Sequence, residues 1–306
     1  MTIYRFPIFV IIISLVLFAA NASLAQEAAP ENLRILSVKQ SPDGVHATIS
    51  VDYPKSWVNG KFTVEVNGKA ERARQIGGGF STDRNVADLQ YLPKQNGRQE
   101  VIVKITADRK KAQARNVIDW KLNPFIGILE HTGDKEIITA KEKLNIVLAN
   151  ISDVRVFFNG KNLSPRFTGT DIRTYSFQPA WKEGKNILTV NAEKNDGLIA
   201  HTFTFYYVGD DGKLPLGETG ILYYGEEGSK SGPFYSIKIE GDSLISVNDV
   251  RSHCSTLDKD GWLVSKTRLG KEFKAQKTGW AIVRIFIKPH FLEELKLDRE
   301  IRIKVE

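Results

Sequence analysis

Residues 183–192 read EGKNILTVNA, and residues 96–107 read NGRQEVIVKITA, so two distant stretches share one pattern. In both, a glycine is followed by a run in which apolar and polar side chains alternate, with Gly97 corresponding to Gly184. Alternation with a period of two is typical of a β-strand that buries one face. The two stretches therefore predict equivalent strands in two copies of one β-fold.

A shorter motif precedes each of these strands. Residues 62–66 (FTVEV) stop at Asn67-Gly68, and residues 154–158 (VRVFF) stop at Asn159-Gly160. Asn-Gly supplies the positive φ angles that a tight β-hairpin needs. Aromatic strands at 114–120 and 201–207 close both units, which predicts two tandem copies of one fold. The spacing of the repeat drifts inside the long strand, which indicates either a bulge or an imperfect alignment.

The rest of the chain predicts the all-β class. Helical periodicity is nearly absent after the first 25 residues, and turn residues recur every 8 to 12 or so positions, a spacing that favours β-sandwiches. We expect sandwiches over 26–122 and 123–208, and a third sandwich-like domain over 209–306 after a polar linker at 209–212.

Residues 153–208 resemble bacterial immunoglobulin-like domains. The resemblance rests on the hairpin turn at 159–161, the strand at 184–192, the turn at 195–197 and the Thr/Phe strand at 202–205. It is partial over 61–122, where Gln99 stands in place of the asparagine and the Asp-Gly turn is missing, and weaker over 273–283. The resemblance implies a β-sandwich that serves as a spacer or binding module on exported proteins, and it names no ligand.

The N-terminus predicts export. Arg5 precedes an apolar run at 6–20, and small residues end at Ala25, so residues 1–25 match a secretory signal peptide cleaved after Ala25. The run of about 15 residues is shorter than the roughly 20 that span a bilayer, although an uncleaved anchor is the alternative. No later segment is apolar enough to be an integral membrane segment. Cys254 is the single cysteine, which favours a bacterial envelope protein, periplasmic or secreted.

The net charge of +7 comes mostly from residues 26–121. Arg109, Lys110 and Lys111 form a basic cluster at a predicted turn, where they are candidates for contact with an acidic envelope polymer or a membrane surface. The alternative is an ordinary solvated turn. The basic residues are not interleaved with stacking aromatics, and the chain is predicted to be exported, so we expect no nucleic-acid partner.

Two of the five tryptophans are candidate binding residues. Trp57 and Trp181 lie in predicted loops, where exposed rings stack against sugars or contact a partner. The alternative for both is packing inside the domain. Trp120 and Trp280 fall on predicted strands, and we expect them in the core.

A catalytic site is not expected. His253 and Cys254 place an imidazole beside a thiol, in a motif that resembles the Ser-His-Gly-Cys of L,D-transpeptidases without its glycine. Neighbouring residues on a strand point to opposite faces, so the base would have to be another histidine such as His290. The histidines are scattered, and turn chemistry explains the acidic Gly-flanked loops, so we expect no metal and no cofactor.

These observations favour a non-catalytic exported binding or scaffolding protein of the bacterial cell envelope. Its partner would be an envelope protein or a polysaccharide, and open sheet edges would provide the means of binding. Two alternatives stay open: a carbohydrate-binding module that uses exposed tryptophan, and a cell-wall enzyme that uses Cys254.

Overall fold

The computed structural model describes residues 33–41, 45–57, 59–80, 83–108, 110–194, 197–209, 212–227 and 232–306. The predicted signal peptide lies outside this range. The chain forms two compact units: one ends at Lys121, and the other contains Leu122–Glu306.

The first unit is a β-sandwich of two antiparallel four-stranded sheets, β1-β2-β6-β5 and β4-β3-β7-β8. Alternate side chains of β2 and β6, such as Ile49 and Leu89, are buried, and so are alternate side chains of β7, such as Val103 and Ile105. The strands are β1 Arg34–Gln40, β2 Ala47–Pro54, β3 Lys61–Val66, β4 Lys69–Glu71, β5 Ala73–Phe80, β6 Arg84–Tyr91, β7 Gly97–Ala107 and β8 Lys110–Trp120, with a 3-10 turn at Lys55–Trp57.

The second unit begins with another sandwich. Its core joins side chains of β9 and β11, including Ile146, to those of β15 and β16, including Leu188 and Phe205. The strands are β9 Phe125–Ile128, β10 Glu136–Ile138, β11 Leu144–Ala149, β12 Asp153–Phe158, β13 Lys161–Asn162, β14 Ile172–Phe177, β15 Gly184–Lys194 and β16 Gly197–Tyr207.

The remaining strands build a separate hydrophobic core in the same unit, around Phe273, Val283 and Ile303. Here the sheet β17-β23-β22-β19 packs on β18, β21 and β20. The strands are β17 Gly212–Leu214, β18 Thr219–Glu226, β19 Phe234–Glu240, β20 Leu244–Leu257, β21 Leu263–Ala275, β22 Gly279–Lys288 and β23 Lys296–Val305.

Strand β10 connects the two cores of the second unit. It pairs in parallel with β16 on one side, where Glu136 faces Phe205, and with β18 on the other, where it faces Ile221. One sheet of eight strands, β13-β12-β15-β16-β10-β18-β21-β20, therefore runs through both sandwiches. The predicted all-β class with successive β-sandwiches is confirmed, and the segments 123–208 and 209–306 share this sheet.

The predicted hairpins form as the sequence indicates. Asn67 and Asn159 adopt φ angles of 50° and 49°. The side-chain Oδ1 of Asn67 accepts the N–H of Glu100 at 2.9 Å, and Asn159 accepts that of Ile187 at 2.9 Å. β7 and β15 both pair with their neighbours without a register shift. The drift in the repeat is therefore an imperfect alignment and not a bulge.

Candidate binding surfaces

The structure buries both tryptophans that the sequence offers as binding residues. Trp57 is 5% exposed, and Trp181 is 9% exposed. Trp181 donates its indole N–H to the backbone oxygen of Glu142 at 3.0 Å, and its ring packs edge-on against Phe158 at 5.5 Å. A sugar stacks only on an open ring face, so neither side chain offers a stacking platform.

Two of the three basic cluster residues lie at the start of β8. Lys110 faces Ala107, and Lys111 faces Thr106, across the β7–β8 hairpin, and both side chains are exposed. Arg109 lies outside the described residues. The hairpin turns at Asp108, whose φ is 44°. The described lysines thus extend from a hairpin into solvent, and contact with an acidic polymer stays a prediction.

Cys254 is buried in β20, opposite Lys266 of β21. Burial raises the pKa of the Cys254 thiol, whereas a nucleophilic cysteine needs a lowered one. His253 points the other way: it is exposed, and its Nδ1 lies 3.3 Å from Oγ1 of Thr267. The structure therefore separates this histidine from the thiol, as strand geometry predicts.

Sequence reasoning missed a buried charge cluster around Glu136 at the start of β10. The Glu136 carboxylate accepts hydrogen bonds from the backbone N–H groups of Thr132 at 3.0 Å and Gly133 at 3.3 Å. His131 Nδ1 lies 3.1 Å away, and the guanidinium of Arg268 donates to the same carboxylate. A buried carboxylate needs such partners, because desolvation without them is costly.

The charge of Glu136 is well stabilised. Burial by itself would raise the pKa of Glu136, but His131 and Arg268 outweigh it and lower the pKa from 4.5 to about 2. Arg268 also donates to the backbone oxygen of Glu130 at 2.8 Å and lies over the Tyr223 ring at 4.5 Å. Because these groups pair with one another, we assign the cluster a structural role.

An open sheet edge lies at β5. β5 ends the sheet β1-β2-β6-β5, and within the described residues it pairs with β6 alone. Ile76 is 48% exposed and Phe80 is 86% exposed, with three glycines at 77–79 between them. A Cβ at Gly78 would collide with the backbone oxygen of Val86, so this position requires glycine. The result is an apolar edge on which the side chain of Gln75 makes one long contact, from its Nε2 to the backbone oxygen of Gly77 at 3.4 Å.

Trp280 is the tryptophan that the structure exposes. It lies on β22 and is 49% exposed, whereas its strand neighbours Ala281 and Val283 point into the core. The expectation that Trp280 is a core residue is therefore wrong, while Trp120 is buried as expected. The error arises because alternation predicts two faces but does not say which one is covered.

Within the described part of the chain, no helix has the length and hydropathy needed to cross a membrane. Over the same residues, no three His, Cys, Asp or Glu side chains are grouped so as to hold a metal ion.

Comparison with solved structures finds tandem immunoglobulin domains. The chain is similar to a titin domain tandem (11% identity, 54% of this chain and 90% of that one, TM-score 0.24). It is also similar to a three-domain I-band fragment of titin (8% identity, 89% of this chain and 93% of that one, TM-score 0.23). A third similar structure contains extracellular domains 3–5 of Drosophila OTK (13% identity, 92% of this chain and 100% of that one, TM-score 0.24). At such low scores these likenesses say nothing about function. No protein-family model and no curated protein matches the chain.

Proposed function

We propose that this chain is a non-catalytic binding protein of the bacterial cell envelope that captures an extended segment of a protein partner along β5. The observation that carries the proposal is the open edge of β5, with Ile76 and Phe80 exposed around a glycine strip. An edge strand presents unpaired N–H and C=O groups to which a partner strand can add.

The composition of β5 distinguishes it from a guarded edge. Soluble proteins protect edges with lysine, proline or inward-pointing charge. The half of β5 from Ile76 to Phe80 has none of these side chains. The pairing of β5 with β6 shifts register at Ile76, and beyond this bulge Gly77 to Phe80 pair regularly with Asp88 to Asn85. Each main-chain hydrogen bond with a partner would contribute about 0.5–1.5 kcal/mol, and the two apolar side chains would add contact area.

A photocrosslinking amino acid in place of Phe80 tests the proposal in the full mature chain within its native envelope. Leu36, which is 56% exposed on β1 at the opposite edge of the same sheet, provides the matched control position. We expect one dominant protein adduct from position 80 and none from position 36. Adding Ile76→Lys should abolish the adduct, because a charged edge resists pairing. Equal adducts from both positions, or an adduct that tolerates the lysine, would contradict the proposal.

The proposed location outside the cytoplasm is supported by the sequence of residues 1–25 and by the single cysteine. N-terminal sequencing of the protein recovered from the periplasm or medium tests it. A first residue of Gln26 is the expected result. Recovery of the uncleaved chain in the membrane would support an anchor instead, and recovery in the cytoplasm would exclude export.

A second candidate function is binding of an envelope polysaccharide through Trp280. The half-exposed ring stands on the outer face of β22, opposite Lys304 of β23. An exposed tryptophan on a sheet is a surface on which a sugar ring stacks. The carbohydrate-binding alternative therefore rests on Trp280 rather than on Trp57 or Trp181.

A further inference from the structure

A polar cavity of about 300 Å³ lies at one rim of the first sandwich. The β3–β4 hairpin forms one wall, with Lys69 and Glu71. The connection from β6 to β7 forms the other wall, with Lys94 and the buried Gln99 just inside β7. The volume is at the lower end of the range for small-molecule sites.

Tyr91 supplies the polar group that the fold leaves unsatisfied. This last residue of β6 lines the cavity, and its side chain is 0% exposed. Its hydroxyl has no hydrogen-bond partner within the described residues. Tyr91 and Glu71 line the same cavity, and burial, followed by the charge of Glu71, raises the pKa of Tyr91. Buried hydroxyls rarely stay unpaired, so an oxygen or nitrogen atom is expected there.

The second sandwich shows what the same position looks like when it is filled. Glu71 faces Val64 across the β3–β4 hairpin, and in the second copy Leu163 donates its N–H to Val156 at 2.9 Å. Leu163 packs against the core there, whereas its counterpart Glu71 is charged.

The connection that leads into the long strand, β7 in the first sandwich and β15 in the second, also places polar side chains at the rim in the first copy and an apolar side chain in the second. In the second sandwich, the chain between β14 and β15 carries Trp181, whose buried ring fills the rim. In the first, residues 92–96 contain no aromatic side chain, and Lys94 and Gln95 line the cavity. At this rim, the first sandwich thus has a cavity lined by polar groups, whereas the second has packed apolar side chains.

We infer that this cavity binds a sugar acid, a single oxygen-rich ring that carries one carboxylate. Lys69 and Lys94 outnumber Glu71 on the walls, which favours a monoanion. Lys94 and Glu71 pair at 2.9 Å, so the cavity offers a cation and a carboxylate side by side. The carboxylate of the ligand would meet the lysines, and its hydroxyls would pair with Glu71 and with the hydroxyl of Tyr91.

Isothermal titration of the full mature chain with galacturonate, with galactose as the neutral match, tests the inference. We expect galacturonate to bind at least about tenfold more tightly than galactose, because an ionic hydrogen bond is lost with the neutral sugar. Tyr91→Phe keeps the buried ring and removes only the hydroxyl, so it should raise the Kd for galacturonate by about tenfold. Its melting temperature should be unchanged or higher, since no protein partner is lost.

Tyr175→Phe in the second sandwich is the matched control, because it removes a hydroxyl that bonds the backbone oxygen of Leu163. This variant should keep the affinity of the wild type for galacturonate. A galacturonate tetramer then identifies the source of the ligand: tighter binding than the monomer indicates an acidic polysaccharide, and equal binding indicates a free sugar acid. If galacturonate does not bind, or binds Tyr91→Phe equally well, the cavity holds only water and the inference is overturned.

Discussion

Glu136 of β10 accepts a hydrogen bond from Arg268 of β21, 132 positions further along the chain. The two strands are not neighbours, because β18 lies between them in the eight-stranded sheet. The pair therefore links the strand that both sandwiches of the second unit share to the outer part of the sheet. Glu136 is buried, and its carboxylate is also within hydrogen-bond distance of His131 Nδ1 and of the backbone N–H of Thr132, so the junction contains a buried and fully paired charge.

Arg268→Ala should lower the free energy of unfolding by about 3–5 kcal/mol, because it leaves the buried Glu136 carboxylate without its cation. Urea denaturation followed by circular dichroism measures this loss. Arg155→Ala is the control: its exposed pair with Glu193 at 3.5 Å should contribute less than about 1 kcal/mol. Equal losses from both variants would show that Glu136 does not depend on Arg268.

The same carboxylate predicts a pH dependence. The pKa of Glu136 is lowered from 4.5 to about 2 in the folded protein, so the folded state favours the ionised form. Its contribution, about 3 kcal/mol, is complete above pH 4.5 and is lost as the pH falls toward 2. Unfolding free energies measured across this window should fall for the wild type and fall less for Glu136→Gln. Parallel curves for the two proteins would assign the acid sensitivity to other groups.

Local chemistry in the sequence was sufficient to predict the hairpins and the repeat. Asn-Gly at 67–68 and 159–160 dictates a turn whatever lies around it, so these elements follow from a few residues. The alternating strands β7 and β15 were predictable for the same reason. The link between the second and third segments was not predictable from the sequence. It is the parallel pairing of the three-residue strand β10, which depends on partners far away in the chain.

The binding surfaces were harder to predict than the strands. Residues 245–249 of β20 are exposed on both faces, so this part of the sequence lacks the alternation that indicates a strand. Trp280 was assigned to the wrong environment, and for Trp181 the sequence left contact and packing open, because coverage by a neighbouring sheet or loop is a tertiary property. The Glu136 cluster joins residues from 130–136 with residue 268, and no local motif indicates that contact.

Replacement of Asn159 by glycine should destabilise the protein less than replacement by alanine. Its φ of 49° lies in the left-handed region, which costs most residues about 1–2 kcal/mol but costs glycine little. Both substitutions remove the hydrogen bond from the N–H of Ile187, worth about 1 kcal/mol. Urea unfolding should therefore show a loss of about 1 kcal/mol for Asn159→Gly and about 2–3 kcal/mol for Asn159→Ala. Indistinguishable losses would mean that the backbone conformation is not the limiting feature.

Cys254 should be unreactive in the folded protein. Its thiol is buried, and burial raises its pKa, so little thiolate is available to attack a reagent at neutral pH. Dithionitrobenzoate at pH 8 should label the urea-unfolded chain fully and the native chain only slowly. Cys254→Ala should also leave the wall phenotype of the cell unchanged. Rapid labelling of the native thiol, with a wall defect in the alanine variant, would favour the cell-wall enzyme.

Substitution of Trp181 should affect stability, whereas substitution of Trp280 should affect binding of polysaccharide. Trp181→Ala removes a buried ring that packs on Phe158 and Phe205, and should cost about 3–5 kcal/mol of unfolding free energy. Trp280→Ala removes a half-exposed ring and should change stability by no more than about 0.5 kcal/mol. If Trp280 binds envelope polysaccharide, affinity electrophoresis in that polymer should retard the wild type and release the Trp280→Ala variant. Retardation that survives this substitution would remove the observation on which the carbohydrate-binding alternative depends, and leave the β5 edge as the remaining binding surface proposed for a macromolecule.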